Sequence, residues 1–339
     1  MPRKPNTRAI FGTIIAMLFI LPLMPFTFTR NSESAGFSSA DLSASINGFA
    51  YTKIVNISPA TPAANYQIRV NLNVSFDYAA CQADGDDVRF YDTTGAPLSF
   101  WTEKWMNGGN STIWVLVPVA GTTSIKMAYG NATIGSGSNG VSTFPLFDDF
   151  SSGSINTTRW GIETDIYSTV TVSGGRALVQ SLTPSPSGSF LRLGFSDQDC
   201  GHGVTNSLSS SKDVVSSVGD LVTYNGVTTT TTDLNEDQVW LLMDYRWISG
   251  TSVIFSENET VKATHTTNIP TTSIPVSFLA RCNYFGPGTN YAAILRSNML
   301  FATGYAFRTV TYIHHLNWGN AEPYAIIDWV LVRKTAAVE

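Results

Sequence analysis

The sequence predicts an all-β protein, with an apolar N-terminal helix ahead of two β-sandwiches. After residue 49, short segments of alternating apolar and polar residues recur, and clusters of Gly, Pro, Asn and Asp separate them. Charged residues make up only 13% of the 339 residues, while Ser, Thr, Gly and Asn are abundant. Because such a balance is typical of extracellular β proteins, we expect two exported domains built from antiparallel sheets.

Charge and cysteine content exclude two classes of site. The net charge of -5 is spread along the chain without a basic stripe, so a nucleic-acid surface is not expected. The three cysteines, Cys81, Cys200 and Cys282, are too few for a disulfide framework and lack the C-x-x-C spacing of zinc or redox sites. Two interpretations remain open: small buried apolar residues, or a Cys200–Cys282 disulfide that leaves Cys81 unpaired.

Residues 1–30 are predicted to be a signal peptide or a transmembrane anchor. Residues 9–28 carry no charge and are long enough to span a bilayer, and Arg3, Lys4 and Arg8 precede them. By the positive-inside rule, this arrangement places the following chain outside the cell. Prolines late in the apolar run are also typical of a cleaved signal, and both alternatives predict an extracellular protein. The Ser-rich residues 31–48 are then a flexible spacer.

Residues 49–143 are predicted to form an Ig-like β-sandwich. Their alternation has a period of two residues, and turn residues interrupt it. The segments with this pattern are Tyr51–Ile57, Tyr66–Val74, Asp87–Tyr91, Leu98–Trp105, Ile113–Val119 and Ser124–Tyr129. Six or seven short strands at this spacing favour a sandwich.

The same block carries an ordered series of motifs. They are Asn65–Val70, Phe76–Tyr78, Asp84–Phe90, Gly95–Trp101, Glu103–Trp105, Ile113–Pro118, Tyr129–Asn131 and Ser138–Gly140. This order resembles the domain-of-unknown-function family 2341. The resemblance implies a β-rich module of exported prokaryotic surface proteins, often placed before a concanavalin A-like domain, and it implies no catalytic activity.

Two groups of side chains in this block are candidate sites. Asp84, Asp86 and Asp87 offer oxygen ligands for calcium, although the EF-hand offsets are absent and an Asp-Gly hairpin turn explains the pattern equally well. Trp101, Glu103 and Trp105 alternate with Lys104, so the two indoles and the carboxylate are expected on one face of a strand. They are candidates for stacking on a sugar, and the alternative is that both tryptophans belong to the core.

The second block opens with Phe147–Trp160 and Val170–Val179 and closes with Ala325–Arg333. These segments are similar to the opening and closing segments of concanavalin A-like lectin and glucanase domains, and they bracket residues 144–339. The resemblance implies a jelly roll, which agrees with the many long strand-like segments between them. Val239–Trp247 is almost continuously apolar and is expected to be a central strand buried on both faces.

No catalytic residues are predicted. The glucanases of that class place two glutamates as Glu-x-Asp-x-x-Glu, and retaining hydrolysis needs carboxyl groups about 5 Å apart. No stretch of this sequence matches that motif, and neither Gly-x-Ser-x-Gly nor His-Glu-x-x-His occurs. The sequence therefore predicts a protein that is not an enzyme.

Aromatic residues around a Gly-Pro-Gly turn in the second block are candidate ligand contacts. Tyr284, Phe285 and Tyr291 are candidates for stacking on a sugar ring, because loops of sandwich proteins commonly carry recognition. The alternative is a turn flanked by core aromatics. Elsewhere, six Asn-x-Ser/Thr sequons occur, at Asn56, Asn73, Asn110, Asn131, Asn156 and Asn258. They are compatible with export and glycosylation.

These observations predict a non-enzymatic surface or secreted protein that recognises a glycan or a surface protein. Its N-terminal segment attaches it to the membrane or directs its secretion. No cofactor is predicted, with calcium at the aspartate turn as the open alternative. Two other functions remain: a structural subunit of a surface filament or envelope layer, and an atypical glycan hydrolase. The run Arg8–Met17 resembles the hydrophobic helix of archaeal pilin-like proteins, which implies filament assembly.

Overall fold

A computed structural model describes residues 36–37, 46, 48–181, 188–196, 212–217, 220–233, 239–248, 252–283, 290–314 and 323–336. The predicted signal or anchor in residues 1–30 lies outside these residues. Within the described ranges, no helix has the length and apolar character needed to cross a membrane. The described residues are predominantly in antiparallel strands, which confirms the predicted all-β class.

The first sandwich contains two sheets. Its strands are β1 (Gly36–Phe37), β2 (Tyr51–Asn56), β3 (Tyr66–Leu72), β4 (Arg89–Tyr91), β5 (Pro97–Leu98), β6 (Phe100–Lys104), β7 (Ser111–Val117) and β8 (Ser124–Tyr129). One sheet has the order β1-β2-β8-β4-β5 and the other β3-β7-β6. A 3₁₀ turn, Tyr78–Ala80, follows β3, and helix α1 (Gly140–Thr143) leads into the second block. Gly36 and Phe37, in the segment predicted as a spacer, are paired with β2.

The alternation in the sequence sets the two faces of these strands. In β7, Ile113, Val115 and Val117 are buried in the core between the two sheets. Trp114, between them, is buried in a different cluster on the opposite face of the same sheet. Because successive side chains of a strand point to opposite faces, the three-stranded sheet is apolar on both sides at this position. It must therefore be covered on both sides.

The second sandwich also contains two sheets. Its strands are β9 (Leu146–Asp148), β10 (Trp160–Glu163), β11 (Ser168–Ser173), β12 (Arg176–Ser181), β13 (Gly188–Ser196), β14 (Asp213–Ser217), β15 (Asp220–Tyr224), β16 (Thr229–Asp233), β17 (Val239–Ile248), β18 (Ser252–Glu257), β19 (Thr260–His265), β20 (Ile274–Asn283), β21 (Asn290–Phe301), β22 (Tyr305–His314) and β23 (Tyr324–Lys334). One sheet has the order β10-β21-β20-β13-β14-β15-β16. The other has the order β11-β12-β23-β22-β17-β18-β19, and β9 pairs with β23. The large core between them includes Trp160, Phe195, Trp247, Phe278 and Phe307.

A third apolar cluster joins the sandwiches. Trp114 of the three-stranded sheet packs in one cluster with Trp329 and Leu331 of β23, and Phe144 and Phe147 from the connecting segment complete it. The outer face of the three-stranded sheet thus covers part of the outer face of the β9/β11-containing sheet. The four sheets form four layers, and the described residues from Gly36 onward form one compact unit. The predicted domain boundary at residue 144 falls inside this contact and stays a prediction.

Strand β17 differs from its prediction. It is a central strand, as expected, lying between β22 and β18. Met243, Tyr245 and Trp247 enter the core, and Leu242 faces the first sandwich. Trp240, however, keeps 40% of its surface exposed. The expectation of burial on both faces was wrong at this position, because Trp240 lies on the outer face of the sheet and outside the cluster that packs against Leu242.

Candidate functional site

Four aromatic side chains form a row on the outer face of the second sandwich. This aromatic row consists of Trp240 on β17, Tyr312 and His314 on β22, and Tyr324 on β23. Trp240 is paired with Tyr312, and His314 with Tyr324, in the strand register. The ring centroids are 5.6 Å apart for Trp240–Tyr312, 6.1 Å for Tyr312–Tyr324 and 4.7 Å for His314–Tyr324.

The alternation of the strands directs the row outward. Leu241, Ile313 and Ala325 are neighbours of the row in sequence, and all three are buried in the core of the second sandwich. The intervening side chains therefore point to the opposite face of the sheet. Tyr312, His314 and Tyr324 are partly exposed there, and Trp240 is exposed. This part of the face carries none of the residues of the cluster that joins the sandwiches.

Arg176 of β12 extends the row at Trp240. Its guanidinium carbon lies 5.0 Å from the centroid of the Trp240 ring. Its Nε donates a hydrogen bond of 2.8 Å to Oδ1 of Asp328 on β23. A cation over an indole face is attracted by the ring quadrupole. Arg176 therefore packs on Trp240 at the surface, and Asp328 fixes Arg176 there.

The row combines the two properties that sugar recognition needs. Indole and phenol rings offer apolar faces and edges, and Tyr hydroxyls, a guanidinium and a carboxylate offer hydrogen bonds. No local pattern in the sequence predicts this group as a whole, since Trp240 stands in an apolar run and its partners come from strands about 70 and 85 positions further along the chain. The available signal was the alternation in β22, where Tyr312 and His314 flank the apolar Ile313.

A group of charged side chains lies at the contact between the sandwiches, where most are buried and Glu259 is half exposed. We call it the Arg308 network, and its members are Arg69, Glu103, Asp244, Glu259, Arg308 and Arg333. Arg308 is only 1% exposed. Its Nη2 lies 2.7 Å from Oε1 of Glu103 and 2.6 Å from Oε1 of Glu259, and its Nη1 lies 2.9 Å from Oδ2 of Asp244.

The rest of the network continues around Trp114. Arg333 Nη2 lies 3.4 Å from Asp244 Oδ1, and Arg69 Nη1 lies 2.9 Å from Glu259 Oε2. The Arg69, Arg308 and Arg333 guanidinium carbons lie 6.0, 5.8 and 5.1 Å from the Trp114 ring centroid. Trp114 Nε1 donates a hydrogen bond of 2.6 Å to Glu103 Oε2. Three positive and three negative side chains thus balance each other at the contact.

The network holds its charges fixed. Burial by itself raises the pKa of Asp244, but the Arg333, Arg308 and Arg246 guanidinium groups hold that pKa below its ordinary value. At Glu259, Arg308 and Arg69 likewise lower the pKa against the effect of burial. Burial lowers the pKa of Arg308, yet Glu103, Asp244 and Glu259 raise it well above its ordinary value. These groups therefore remain ionised at neutral pH.

The structure places two of the three residues predicted to share one face of β6 at the contact with the second sandwich and the third elsewhere. Trp101 packs on Phe147 and Trp329, with ring centroids 5.0 and 5.1 Å away, and Glu103 belongs to the Arg308 network. Trp105 instead contacts Tyr78 of the first core, and its Nε1 bonds the Ala83 carbonyl. An irregularity in the β6–β7 pairing between Thr102 and Lys104 changes the alternation. The prediction of a shared face was therefore wrong for Trp105 and right for Trp101 and Glu103, while sugar binding by these residues stays a prediction.

The aspartates proposed for calcium have structural partners. Asp87 is fully buried, and its carboxylate accepts hydrogen bonds from the backbone N–H groups of Gln82, Gly130 and Asn131. Asp84 accepts one from the N–H of Asp86. Among the residues that the structure describes, no three His, Cys, Asp or Glu side chains are grouped so as to hold a metal ion. Asp87 thus links this segment to the residues that follow β8, and the calcium site stays a prediction.

The remaining predicted residues fall largely outside the description. Tyr284, Phe285 and Cys200 lie outside the described residues. Tyr291 and Cys282 are paired with each other in the β20–β21 register, but their side chains are outside it too, so the disulfide stays a prediction. Cys81 is a free thiol beside the first core. Burial, with Asp87 and Asp77 nearby, raises its pKa to about 12.

A family model of a domain of unknown function, DUF2341, matches residues 84–163. The match confirms the family resemblance for the later part of the first sandwich, and it continues past residue 143 through β9 and β10. A comparison with curated proteins gives no match. The matched region contains Trp101, Glu103 and Trp114, which face the second sandwich.

Proposed function

We propose that this protein is a non-enzymatic binding protein of the cell surface or the extracellular medium, and that the aromatic row holds a glycan. The exposed Trp240, clamped by Arg176 at the end of the row, is the observation that carries the proposal. An indole exposed on a sheet leaves apolar surface in water, which is unfavourable unless a partner covers it. Large exposed aromatic groups commonly mark binding sites. The predicted signal or anchor in residues 1–30 would export the chain.

The proposal includes a finer assignment of the two folds. We infer that the first sandwich is Ig-like and that the second is a concanavalin A-like jelly roll. The large paired sheets of the second sandwich, and the position of β9 beside β23 near the two ends of the block, support this inference. In such sandwiches ligands bind on sheet faces or on the loops at their rims.

The chemistry of the described carboxylates favours binding over hydrolysis. A glycosidase needs a general acid with a raised pKa beside a second carboxylate. Glu103, Asp244 and Glu259 converge, but all three are bonded to Arg308. The pKa values of Asp244 and Glu259 are lowered, which is the opposite of what a proton donor requires.

A second candidate is a structural subunit of a filament or envelope layer. The ion pairs and the aromatic cluster between the sandwiches favour it, because they would keep the two modules rigid under load. A protein of this kind would polymerise or bind other envelope proteins, and its aromatic row would be an interface between subunits.

Glycan-array binding by the exported chain tests the proposal, with and without calcium. We expect binding to a defined set of glycans, and Trp240→Ala should weaken the Kd about tenfold, the effect of losing about 1.4 kcal/mol. Tyr51→Ala is the matched control, because Tyr51 is similarly exposed but lies on β2 of the first sandwich. It should leave the Kd unchanged. Binding that is insensitive to Trp240→Ala would refute the assignment of the site, and absence of binding would favour the structural subunit.

A further inference from the structure

Of the six sequons, only those at Asn73 and Asn258 have all three residues exposed. Asn73, Val74 and Ser75 are all exposed, and they form a turn between β3 and the 3₁₀ turn at Tyr78. The Asn73 Oδ1 accepts hydrogen bonds from the Ser75 backbone N–H at 2.9 Å and from the Ser75 hydroxyl at 2.6 Å. Because the turn uses the amide oxygen, the Asn73 Nδ2 takes no part in these bonds.

In a folded protein, the segment that carries an acceptor sequon must unfold locally and move away from the protein surface to enter the active site of a transferase. The backbone of residues 73–75 belongs to no strand, so this movement breaks no ladder hydrogen bonds. The Tyr78 hydroxyl bonds the Leu72 and Gly109 carbonyl groups at 3.2 and 2.6 Å, which secures the end of the sheet just before the turn.

The other sequons are held more firmly. Asn56 is the last residue of β2, and it pairs with both β1 and β8. The hydroxyl residue of the Asn110 sequon, Thr112, lies in β7 between β3 and β6. Asn131 and Asn156 accept the same two hydrogen bonds as Asn73, from Thr133 and Thr158, but both asparagines are only partly exposed.

Asn258 is exposed but bound to a central strand. Its Oδ1 accepts a hydrogen bond of 3.1 Å from the Leu242 N–H, and its own N–H donates to the Leu242 carbonyl at 2.8 Å. The next residue, Glu259, belongs to the Arg308 network. Moving this sequon would therefore disturb both β17 and the contact between the sandwiches.

Val74, the middle residue of the first sequon, supplies an independent observation. It is 72% exposed, among the most exposed of the large apolar side chains. A branched apolar side chain in an exposed turn contributes nothing to the core. A sugar attached to the adjacent asparagine would lie over it and remove it from water.

We propose that Asn73 is an N-glycosylation site and that Asn258 is not. The inference rests on the export included in the proposed function. The co-reactant is a lipid-pyrophosphate-linked oligosaccharide. A bond forms between Asn73 Nδ2 and the anomeric carbon of the first sugar, while the bond from that carbon to the phosphate oxygen breaks. The lipid pyrophosphate leaves with the electron pair, and Nδ2 loses one proton to a base.

Mass spectrometry of the full chain, purified from the cells that produce it, tests this proposal. Trypsin releases Asn73 in the peptide 70–89 and Asn258 in the peptide 247–262, each with a single sequon. We expect the first peptide to carry added sugar mass and the second to have its unmodified mass. The same preparation is divided into cell-associated, surface-exposed and secreted fractions, so that the location of the chain is measured together with its modification.

Variants separate modification from folding. Ser75→Ala should abolish the added mass although Asn73 is retained, Ser75→Thr should preserve it, and Asn73→Gln should abolish it. An unmodified peptide 70–89 in surface-exposed or secreted protein would overturn the proposal and leave the proposed function intact. Equal modification of peptide 247–262 would overturn the structural selectivity. Recovery of the chain only from the cytoplasm would contradict the proposed location and this inference together.

Discussion

Arg308 shows how one side chain connects the two sandwiches. It lies on β22 of the second sandwich and bonds Glu103 on β6 of the first, as well as Asp244 and Glu259 from its own sandwich. Removing one charge from such a network leaves the opposite charges buried without a partner. The resulting loss of folding stability is larger than the stability that the intact pair contributes. The residue therefore determines stability mainly through the charges it neutralises.

Replacing Arg308 is expected to destabilise the protein strongly. Arg308→Met retains much of the apolar stem but removes the guanidinium that bonds both Asp244 and Glu103, so the free energy of unfolding should fall by about 3–5 kcal/mol. Chemical denaturation measures the change. Glu163→Gln is the control, because Glu163 forms a surface ion pair with Arg296 and its loss should cost less than about 1 kcal/mol. Equal effects of the two variants would contradict the central role of Arg308.

Acid should weaken the same network. The pKa values of Asp244 and Glu259 are lowered in the folded protein from ordinary values of 3.8 and 4.5. The unfolded chain therefore binds protons first, so the stability they contribute is fully present above about pH 5 and is lost as pH falls through the lowered folded pKa values. Denaturation midpoints between pH 7 and pH 3 measure this loss. Asp244→Asn should make the remaining dependence shallower, and an unchanged slope would contradict the assignment.

At the scale of elements, irregularities in pairing decide which side chains reach a surface. The irregularity between Thr102 and Lys104 turns Trp105 toward the first core, while Trp101 stays in the contact with the second sandwich. A second irregularity, between Val310 and Thr311, skips Asp328 in the β22–β23 register. Asp328 is thereby available to Arg176, which holds Trp240. Such bulges re-aim side chains beside functional surfaces.

Gly194 is expected to be essential for the pairing of β13 with β14. It adopts a φ of +141°, and a Cβ atom there would overlap the Val214 carbonyl oxygen. Gly194→Ala should therefore destabilise the second sandwich by more than the conformational cost of about 1–2 kcal/mol. Gly174→Ala is the matched control, since Gly174 has a φ of +59° and open space around it. Thermal unfolding distinguishes them, and equal losses would show that the close approach to Val214 has no effect.

At the scale of the whole molecule, four sheets stack through three apolar clusters. The middle cluster is richer in aromatic residues than either core. Gln67 adds polar links, accepting from the Lys334 N–H and donating to the Thr143 carbonyl. Ala336, beyond β23, packs against the first core. The sandwiches should therefore unfold together.

Calorimetry should show one unfolding transition, with calorimetric and van't Hoff enthalpies equal. Trp329→Ala removes the side chain that contacts Trp101 and belongs to neither core, so it should cost about 3–5 kcal/mol and split the transition in two. Trp160→Ala, within the second core, should lower the midpoint and keep a single transition. Two transitions in the unaltered protein would show that the contact between the sandwiches does not couple them.

The sequence by itself determined the all-β class, most of the strands of the first sandwich and the family resemblance matched over residues 84–163. These depend on alternation, turn residues and motif order, which are local. Only the tertiary structure decided which faces are covered. Glu103 and Arg308 are 205 positions apart, and no local pattern relates them. Trp240 and Trp329 both occur in apolar runs, yet one is exposed and the other joins two sandwiches, because burial depends on which sheet lies opposite.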